Sequence, residues 1–413
     1  MGRLHMTTTT AHRYPLWESL VLPSRYGRPE VHGIGCEGNR VHFADGTSAL
    51  DVMSGLWNAN LGYGNKAVTE AITECLNTAS YLPLFRGGHR LAEQAATALL
   101  GVSGPDHFGR VLFSTSGGAA NDVMMKLVRH YQALRGEENR DIVVGLKGSW
   151  HGLTYGSFAL TGQPLGQDVY RIDRSRVRHV SHEGAGDLTE LLAREGDRIA
   201  AVVLEPVLGT GAHPVSQELL DSIEELRAQY GFLVIADEVA TGFGRTGAYF
   251  ASQNWPFKPD IMITSKGLTN GTCAASAIVV SHDVCETFEA TDAVLFHGET
   301  QAGSPTSCAA VIATIAEMER LDAVALAQKL SLKLDALLEE ISAHPKVVET
   351  RGLGCFRGIQ LSVPSDPLTA AARRRGLIVQ PGTDFIMLVP ALTFTDEEFE
   401  ELASGLRAAL DEI

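Results

Sequence analysis

The sequence predicts an α/β protein with a large domain built on a mostly parallel central sheet and a smaller α+β domain. Short apolar runs bounded by turn residues, such as residues 232–236 and Ile261–Thr264, are typical of strands buried on both faces. Segments with apolar residues on one helical face, such as Gln217–Tyr230, connect these runs. A chain of 413 residues with 45% hydrophobic side chains can bury a core large enough for two domains.

The individual elements follow from local patterns along the chain. Residues 7–40 are rich in Pro, Arg and Tyr and have weak periodicity, so we expect an N-terminal arm. An Asp-Gly pair at 45–46 between alternating residues predicts a hairpin over residues 41–47. Apolar runs predict strands at residues 111–113, 142–144, 199–204, 232–236, 261–264, 277–280 and 358–361. Helical periodicity predicts helices at residues 67–78, 89–100, 117–131, 187–195, 217–230, 305–319, 321–342 and 396–410.

The order of these elements predicts the domain boundaries. Strands alternate with helices through the middle of the chain, which is typical of a parallel sheet covered on both faces. We assign residues 1–60 to the N-terminal arm and part of the small domain, residues 61–305 to the large domain, and residues 306–413 to the C-terminal small domain.

The composition argues against several kinds of partner. The net charge is −15 and the longest basic run is Arg373 to Arg375, so we expect neither nucleic acid nor an acidic membrane to bind. The six cysteines form no C-x-x-C pair and no regular spacing, which indicates neither a metal site nor a disulfide framework. No apolar stretch has transmembrane length, and no signal peptide is recognised near the start. We therefore expect a cytoplasmic protein.

Asp237 and Lys266 each follow one of the predicted buried strands. Because ligands of open α/β sheets bind beyond the carboxyl ends of the strands, both side chains should lie at the rim of one pocket. A lysine flanked by apolar surface is poorly solvated as a cation and becomes available as a neutral amine for covalent catalysis. Each residue alone has a simpler interpretation, since a lysine after a strand is usually a solvated loop residue and an aspartate there usually caps a helix.

Three other predicted strands are also followed by candidate site residues. Ser116, Gly117 and Gly118 lead into a helix, whose exposed N-terminal amides can bind a phosphate dianion; an ordinary capped helix is the alternative. Trp150 follows residues 142–144 and can stack on a flat heteroaromatic ring, although a tryptophan buried in the core is commoner. Glu205 ends residues 199–204, either within the same pocket or as an exposed carboxylate.

Residues 242–247 fit G-x-G-x-x-G, the fingerprint of dinucleotide binding. That fingerprint requires its first glycine in the turn leaving the strand and a helix directly after it. Here residues 237–241 separate the strand from the glycine, and Ala-Tyr-Phe at 248–250 is not a clear helix start. We therefore do not expect a nicotinamide site.

The segment from residue 231 to 267 contains several motifs in a characteristic order. An apolar strand is followed by Asp-Glu-Val at 237–239, Gly-Phe-Gly-Arg-Thr-Gly at 242–247 and Ser-Lys-Gly at 265–267. This order resembles the central segment of class III (ω-type) aminotransferases, and matching motifs extend from about residue 51 to residue 390. The resemblance implies PLP fold type I, a pyridoxal 5′-phosphate cofactor and transamination.

The resemblance also implies roles for the site residues. Lys266 would hold the cofactor covalently and act as general base and acid, and Asp237 would keep the pyridine nitrogen protonated. The other implied cofactor contacts are Ser116, Gly117, Gly118, Trp150, His151, Glu205 and Val239. Gly118 and Ala119 stand where the family has a hydroxyl residue and a glutamate, so one side-chain bond to the phosphate is lost.

Residues 297–305 match His-Gly-x-Thr-x-x-Gly-x-Pro, in which the family's threonine reaches the phosphate bound by the partner subunit. The resemblance therefore implies a homodimer with shared active sites and this role for Thr300; a threonine capping the next helix is the alternative. It also implies that Leu56, Trp57 and Phe85 are walls of the substrate site.

The substrate expectation depends on a missing arginine. Many family members that act on α-amino acids carry an arginine near the C-terminal strand that binds the α-carboxylate. Residues 380–390 contain no arginine and are mostly apolar, and an unpaired carboxylate buried there would cost roughly several kcal/mol. We therefore expect an amine donor and a ketone or aldehyde acceptor, as in amine transaminases. Arg86 or Arg245 is the alternative source of a carboxylate site.

Other functions stay open at this stage. The chain also resembles daptide-type aminotransferases, for which the acceptor would be the modified C-terminus of a ribosomal peptide. An amino-acid ω-aminotransferase using an α-keto acid, and a decarboxylase or aminomutase of the same fold, would use the same site residues. A non-catalytic PLP-fold binding protein is the third alternative, against which Lys266 and Asp237 argue.

Overall fold

The computed structural model describes residues 14–413; residues 7–13 of the predicted N-terminal arm, and residues 1–13 of the first predicted domain, lie outside this range. The N-terminal part contains β1 (Gly33–Glu37), β2 (Arg40–Phe43), β3 (Ser48–Asp51), the single turn α1 (Ser54–Trp57), α2 (Lys66–Thr78) and α3 (Arg90–Ser103). The central part contains β4 (Phe108–Ser114), α4 (Gly117–Leu134), β5 (Ile142–Leu146), α5 (Tyr155–Leu160), β6 (Val177–Val180), α6 (Gly186–Glu195), β7 (Ile199–Leu204), α7 (Gln217–Tyr230), β8 (Leu233–Asp237), β9 (Ile261–Thr264), β10 (Ser276–Ser281) and α8 (His282–Ala290). The C-terminal part contains α9 (Pro305–Arg320), α10 (Ala323–Ser342), β11 (Val347–Leu353), β12 (Phe356–Leu361), α11 (Asp366–Arg374), β13 (Leu377–Ile378), β14 (Gln380–Pro381), β15 (Phe385–Leu388) and α12 (Asp396–Glu412).

Seven strands form the central sheet in the order β4-β10-β9-β8-β7-β5-β6. Strand β10 runs antiparallel to both of its neighbours, and every other pair is parallel. The prediction of an α/β fold with a mostly parallel central sheet is therefore confirmed. Because of this arrangement, the carboxyl ends of β4, β5, β7, β8 and β9 meet at one edge of the sheet.

Helices cover both faces of this sheet, as β7 illustrates. Its successive side chains point to opposite faces, so Val203 belongs to the core that contains Val128 of α4, and Val202 to the core that contains Leu219 of α7. All six residues of β7 are buried, which explains why a continuous apolar run identified it. Among residues 14–413, no helix combines the length and apolarity needed to cross a bilayer.

Two smaller sheets are built from the ends of the chain. One has the order β1-β2-β3-β13, in which β13 pairs parallel with β3 so that Leu377 lies opposite Leu50. The other is the antiparallel sheet β11-β12-β15-β14. The first sheet therefore joins strands from the beginning of the chain to a strand near its end.

Several predicted elements agree with the structure residue by residue, namely β7, β9 and α7, and the predicted hairpin joins β2 to β3. The sequence analysis missed β1, which lies inside the expected N-terminal arm, because all five of its residues are exposed and give no apolar pattern. It also missed the strands β6, β11, β13, β14 and β15 and the helices α5, α8 and α11. The missed helices have at most nine residues, so each contains too few turns for a clear period.

Arg245 is a fully buried arginine that holds separate parts of the chain together. Its guanidinium donates to the carbonyls of Val389 and Pro390 and to the side chains of Ser54 and Asn60. Burial lowers its pKa to about 10, which leaves it charged at neutral pH. Its terminal nitrogens are occupied by protein acceptors, so the hypothesis that Arg245 binds a substrate carboxylate was wrong.

Replacing Arg245 with methionine should destabilise the protein strongly. Each buried acceptor left without a partner costs about 1–3 kcal/mol, so we expect the free energy of unfolding to fall by at least about 3 kcal/mol in urea titrations. Arg174→Met is the control, because Arg174 makes an exposed ion pair with Asp168. Such a pair contributes about 0–1 kcal/mol. Equal losses in the two variants would contradict the role assigned to Arg245.

Candidate active site

A cavity of about 170 Å³ lies at the carboxyl edge of the central sheet, where five parallel strands end. Each of these strands, or the segment directly after it, supplies part of the cavity wall. The lining residues are Trp57, Gly117, Gly118, Asn121, Trp150, His151, Gly152, Glu205, Gly209, Asp237, Val239, Ala240, Ser265 and Lys266. The structure therefore brings together residues that are up to about 200 positions apart in the sequence, as the rule for ligand sites in α/β sheets predicts.

Lys266 lies in this cavity two residues after β9, with its backbone in the left-handed region at φ 47°. Desolvation lowers the pKa of its ammonium group to about 8, against the opposing effect of the carboxylates of Asp237 and Glu205. The Nζ atom lies 4.4 Å from the centre of the Trp57 ring. A much larger fraction of Lys266 than of an ordinary lysine is therefore a neutral, nucleophilic amine near neutral pH.

Asp237 is a buried carboxylate at the end of β8 that accepts three hydrogen bonds. Its Oδ2 atom accepts from Asn121 Nδ2 at 3.0 Å and from His151 Nδ1 at 2.7 Å, and Oδ1 accepts from the amide of Val239 at 3.1 Å. Burial lowers the pKa of His151, but the hydrogen bond and charge of Asp237 outweigh it and raise that pKa above its ordinary value. The orientation of the carboxylate is thus fixed from several sides.

Glu205 lies at the end of β7 and is also buried. Burial raises the pKa of Glu205 to about 7, although the charge of His151 lowers it. The two carboxylate oxygens accept from the amide of Trp150 at 2.6 Å and from the amide of Gly209 at 2.7 Å. Of the two interpretations of Glu205, the one that places it in the pocket agrees with the structure.

The N-terminus of α4 forms another wall of the cavity. Ser116 caps the helix, and its Oγ atom accepts from the amide of Ala119 at 3.1 Å. Gly117 and Gly118 follow and line the cavity, where the first amides of a helix lack intrahelical partners. A Cβ atom at Gly152 would lie 2.5 Å from the Cα atom of Gly118, so this close approach requires glycine. The result is an amide-rich wall suited to an anion.

Trp57 reaches the cavity from a turn with left-handed backbone. Gly55, Leu56 and Trp57 have φ values of 62°, 56° and 69°, a conformation that costs non-glycine residues roughly 1–2 kcal/mol each. The Asp51 carboxylate stabilises the turn by accepting from two of its amides, at 2.8 and 2.7 Å. This unusual turn directs the Trp57 ring towards Lys266.

Some predicted site residues lie elsewhere in the single chain. Ser116 is at the helix cap rather than in the cavity lining, and Leu56 is 53% exposed beside Trp57. Phe85 is 54% exposed and lines a second, larger cavity, and Thr300 is exposed. The roles of Phe85 and Thr300 stay predictions, because they concern a site on a partner subunit.

The sequence analysis missed Asn121, which donates to Asp237 and to the carbonyls of Gly117 and His151. The available signal was its spacing, because Asn121 lies one helical turn after Gly117 and therefore on the same face of α4. Ser265 and Gly209 were also missed as cavity residues.

The groups around the cavity fit pyridoxal 5′-phosphate. The glycine amides of α4 suit its phosphate, Asp237 suits its pyridine nitrogen, and Lys266 suits its aldehyde carbon. The buried Nε2 atom of His151 has no hydrogen-bond partner among residues 14–413, so the site keeps an unused polar group. Among the described residues, no group of three His, Cys, Asp or Glu side chains is placed to hold a metal ion.

Comparison with known proteins supports the same assignment. The family model "Aminotransferase class-III" matches residues 33–410. Acetylornithine aminotransferase of Mycolicibacterium smegmatis is 36% identical over 96% of this chain and 97% of its own length. Omega-aminotransferase of Caulobacter vibrioides is 29% identical over 88% of this chain and 90% of its own length. The structure of an omega transaminase from Pseudomonas jessenii in complex with PMP superposes with a TM-score of 0.87, at 27% identity over 92% of each chain.

The lowered pKa of Lys266 predicts a specific pH dependence in the cofactor-free protein. Acylation of Lys266 by a small anhydride, which releases a carboxylate, should increase through pH about 8 and then level off, because only the neutral amine reacts; peptide mass spectrometry measures it. Since the charge of Asp237 raises this pKa, the Asp237→Asn variant should shift the midpoint to lower pH. A midpoint equal to that of free Nα-acetyl-lysine amide, at roughly 10.4, would contradict the desolvation argument.

Proposed function

Because the chain belongs to the class III aminotransferase family, we propose that it moves an amino group from an amine donor to a ketone or aldehyde without an obligatory adjacent carboxylate. Membership of this family makes the chain an aminotransferase. Because the family uses pyridoxal 5′-phosphate, that is its cofactor. The observation that carries the proposal is the composition of the cavity wall. It combines Lys266 and Asp237 with apolar side chains and contains no arginine.

In the proposed mechanism, Lys266 has two roles. As a neutral amine it would hold the cofactor covalently. When free, its Nζ atom would take a proton from the donor carbon and later return it, as general base and general acid. When bound, the cofactor supplies an electron sink that makes this proton removable. A pKa near 8 suits Lys266 to both directions of proton transfer.

The other cavity residues hold and orient the cofactor in this proposal. Asp237 keeps the pyridine nitrogen protonated, and the hydrogen bonds from Asn121 and His151 keep its carboxylate in place. The α4 amides hold the phosphate together with Ser116, whose hydroxyl proton remains free to donate. Trp150 and Val239, both in the cavity lining, would pack against the ring.

The substrate part of the proposal rests on charge. Trp57, Val239 and Ala240 give the cavity apolar surface, and the buried Glu205, whose pKa is raised to about 7, lines the same cavity. A substrate carboxylate would be desolvated there without a cationic partner, and above pH 7 it would also face the charge of Glu205. A carbonyl compound lacking that group avoids both costs.

One alternative is favoured by a specific observation. The relative at 36% identity is named an acetylornithine aminotransferase, which makes an amino-acid ω-aminotransferase using an α-keto acid the second candidate. Arg86 would then be the carboxylate ligand, because it is exposed and forms no ion pair with an acidic side chain among residues 14–413. The modified C-terminus of a ribosomal peptide is a narrower form of the first candidate and belongs in the same acceptor screen. The predicted cytoplasmic location fits either candidate.

Family members are typically homodimers, and we propose that this chain is one. The second cavity has a volume of about 1130 Å³ and is lined by apolar side chains including Phe85, Val294 and Phe296. Val294 and Phe296 are 64% and 85% exposed. An apolar surface of this kind is usually covered by a partner, and Thr300 lies beside it.

The proposed function predicts that Lys266→Ala abolishes turnover without unfolding the protein. The variant lacks both the covalent attachment of the cofactor and the proton carrier, so the yellow colour of the purified wild type should also be lost. Thermal unfolding and circular dichroism of the two proteins should agree. Retention of turnover by Lys266→Ala would rule out the assignment.

The shared site predicts complementation between two inactive chains. In a mixed dimer of Lys266→Ala and Thr300→Ala chains, one of the two sites has both the native lysine and the native threonine. Co-purified mixed dimers should therefore recover up to about half of the wild-type activity, as one intact site of two implies. Homodimers of Lys266→Ala chains, prepared in the same way, are the control. Activity no greater than the sum of the parent variants would contradict the placement of Thr300 in the partner's site.

The substrate proposal predicts the effect of Arg86. Aldehydes and their matching α-keto acids should be compared as acceptors, and the aldehydes should have equal or higher kcat/KM. Arg86→Ala should leave that ratio unchanged, as should the control Arg90→Ala, which changes an exposed arginine outside both cavities. A strong preference for α-keto acids that disappears in Arg86→Ala would establish the second candidate instead.

A further inference from the structure

The loop that carries Thr300 is fixed to the central sheet by the side chain of Glu299. Its Oε1 atom accepts from the hydroxyl of Ser114, and its Oε2 atom accepts from the hydroxyl of Thr115 and from the amide of Thr115 at 3.2 Å. His297 Nε2 lies 3.3 Å from Oε1 on the other side. One carboxylate therefore joins a loop at residues 297–303 to the last residues of β4.

The two segments joined by Glu299 both belong to phosphate sites in the proposed dimer. Ser114 and Thr115 lead directly into Ser116 and the glycine amides of α4, which form the phosphate wall of the chain's own cavity. Thr300 follows Glu299 and is the residue proposed to reach the partner's phosphate. The Glu299 carboxylate is therefore the direct side-chain connection between these two segments.

Other contacts hold the backbone of this loop but do not make the same connection. The Tyr81 hydroxyl donates to the Thr300 carbonyl at 2.9 Å, and His89 Nε2 lies 2.9 Å from the Gly303 carbonyl. Both partners come from the segment before α3 and not from the phosphate wall. Glu299 supplies what these contacts lack, which is a link between the position of Thr300 and the start of α4.

Glu299 is suited to this task because it is charged and partly buried, with 20% of its side chain exposed. Burial raises the pKa of Glu299. The hydrogen bonds from Ser114, Thr115 and His297 lower it by a larger amount, so the pKa lies below that of an ordinary glutamate. The side chain is therefore an anion at neutral pH. Hydrogen bonds to an ionised acceptor are stronger and more directional than those between neutral groups.

We propose that Glu299 is a positioning residue that couples the two phosphate sites of the dimer, by fixing the Thr300 loop to the strand that enters the chain's own phosphate wall. This inference rests on the proposed homodimer and on the proposed role of Thr300. Glu299 lies outside the lining of the chain's own cavity, and it acts through Thr300 and through the turn of Ser114 and Thr115.

The test is a double-mutant cycle on cofactor affinity, which does not require turnover. Apoenzyme of wild type, Glu299→Ala, Thr300→Ala and the double variant is titrated with pyridoxal 5′-phosphate at equilibrium. Glu299→Ala should weaken binding roughly tenfold, as expected for a charge-assisted contact. If Glu299 acts through Thr300, the double variant should bind little worse than Thr300→Ala alone. Glu299→Gln keeps one acceptor oxygen and should lie between wild type and Glu299→Ala.

The matched control is Glu340→Gln, which removes an exposed carboxylate paired with Arg407 and lies outside the lining of both cavities. It should leave cofactor affinity unchanged, and all variants should show thermal unfolding close to that of the wild type. Unchanged affinity in Glu299→Ala, or an additive double variant, would overturn the coupling while Thr300→Ala still weakens binding. If Thr300→Ala itself binds the cofactor like the wild type, the proposed cross-subunit role fails instead, so the two failures are distinguishable.

Discussion

Ionisable groups removed from water must be matched with one another, and this constraint governs the carboxyl edge of the central sheet. Lys266, Asp237, Glu205 and His151 surround one cavity, where desolvation lowers the pKa of the amine and raises that of Glu205. The register of β7, β8 and β9 sets their spacing, because a shift by one residue would turn each side chain to the other face. The parallel pairing of these strands is therefore needed to place the site residues as well as to form the core.

The opposite side of the cavity is apolar, and its shape depends on a strained turn. Trp57 is presented by left-handed backbone that Asp51 stabilises through two amides of the turn. Behind this turn, Arg245 donates to Ser54 and to carbonyls directly after β15, so the arginine nearest in sequence to Asp237 serves the fold. The cavity thus has ionisable groups at the carboxyl edge of the sheet and an apolar wall at Trp57. This contrast is the physical basis for proposing an acceptor without a carboxylate.

Much of this arrangement could be predicted from sequence because burial leaves a strong signal. Fully buried strands such as β7 and β9 read as continuous apolar runs, and the residues that follow them include Glu205 and Lys266. Exposed β1 gave no such pattern. The spacing from Gly117 places Asn121 on the same face of α4, but its hydrogen bond to Asp237 could not be inferred, because the sequence does not show that the first turn of α4 faces β8. The left-handed turn at Trp57 was likewise hidden, because the local sequence is compatible with an ordinary loop containing glycines. The roles proposed for Phe85 and Thr300 depend on a second copy of the chain, which no single-chain pattern describes.

The most direct test of the account is a half-reaction followed through the absorbance of the cofactor. Purified holoenzyme is mixed with a simple primary amine in the absence of any acceptor, and an aldehyde or an α-keto acid is then added separately. The account predicts that the amine removes the yellow absorbance and that the aldehyde restores it at least as fast as the α-keto acid does. Failure of the amine to change the spectrum, or restoration by the α-keto acid only, would contradict it.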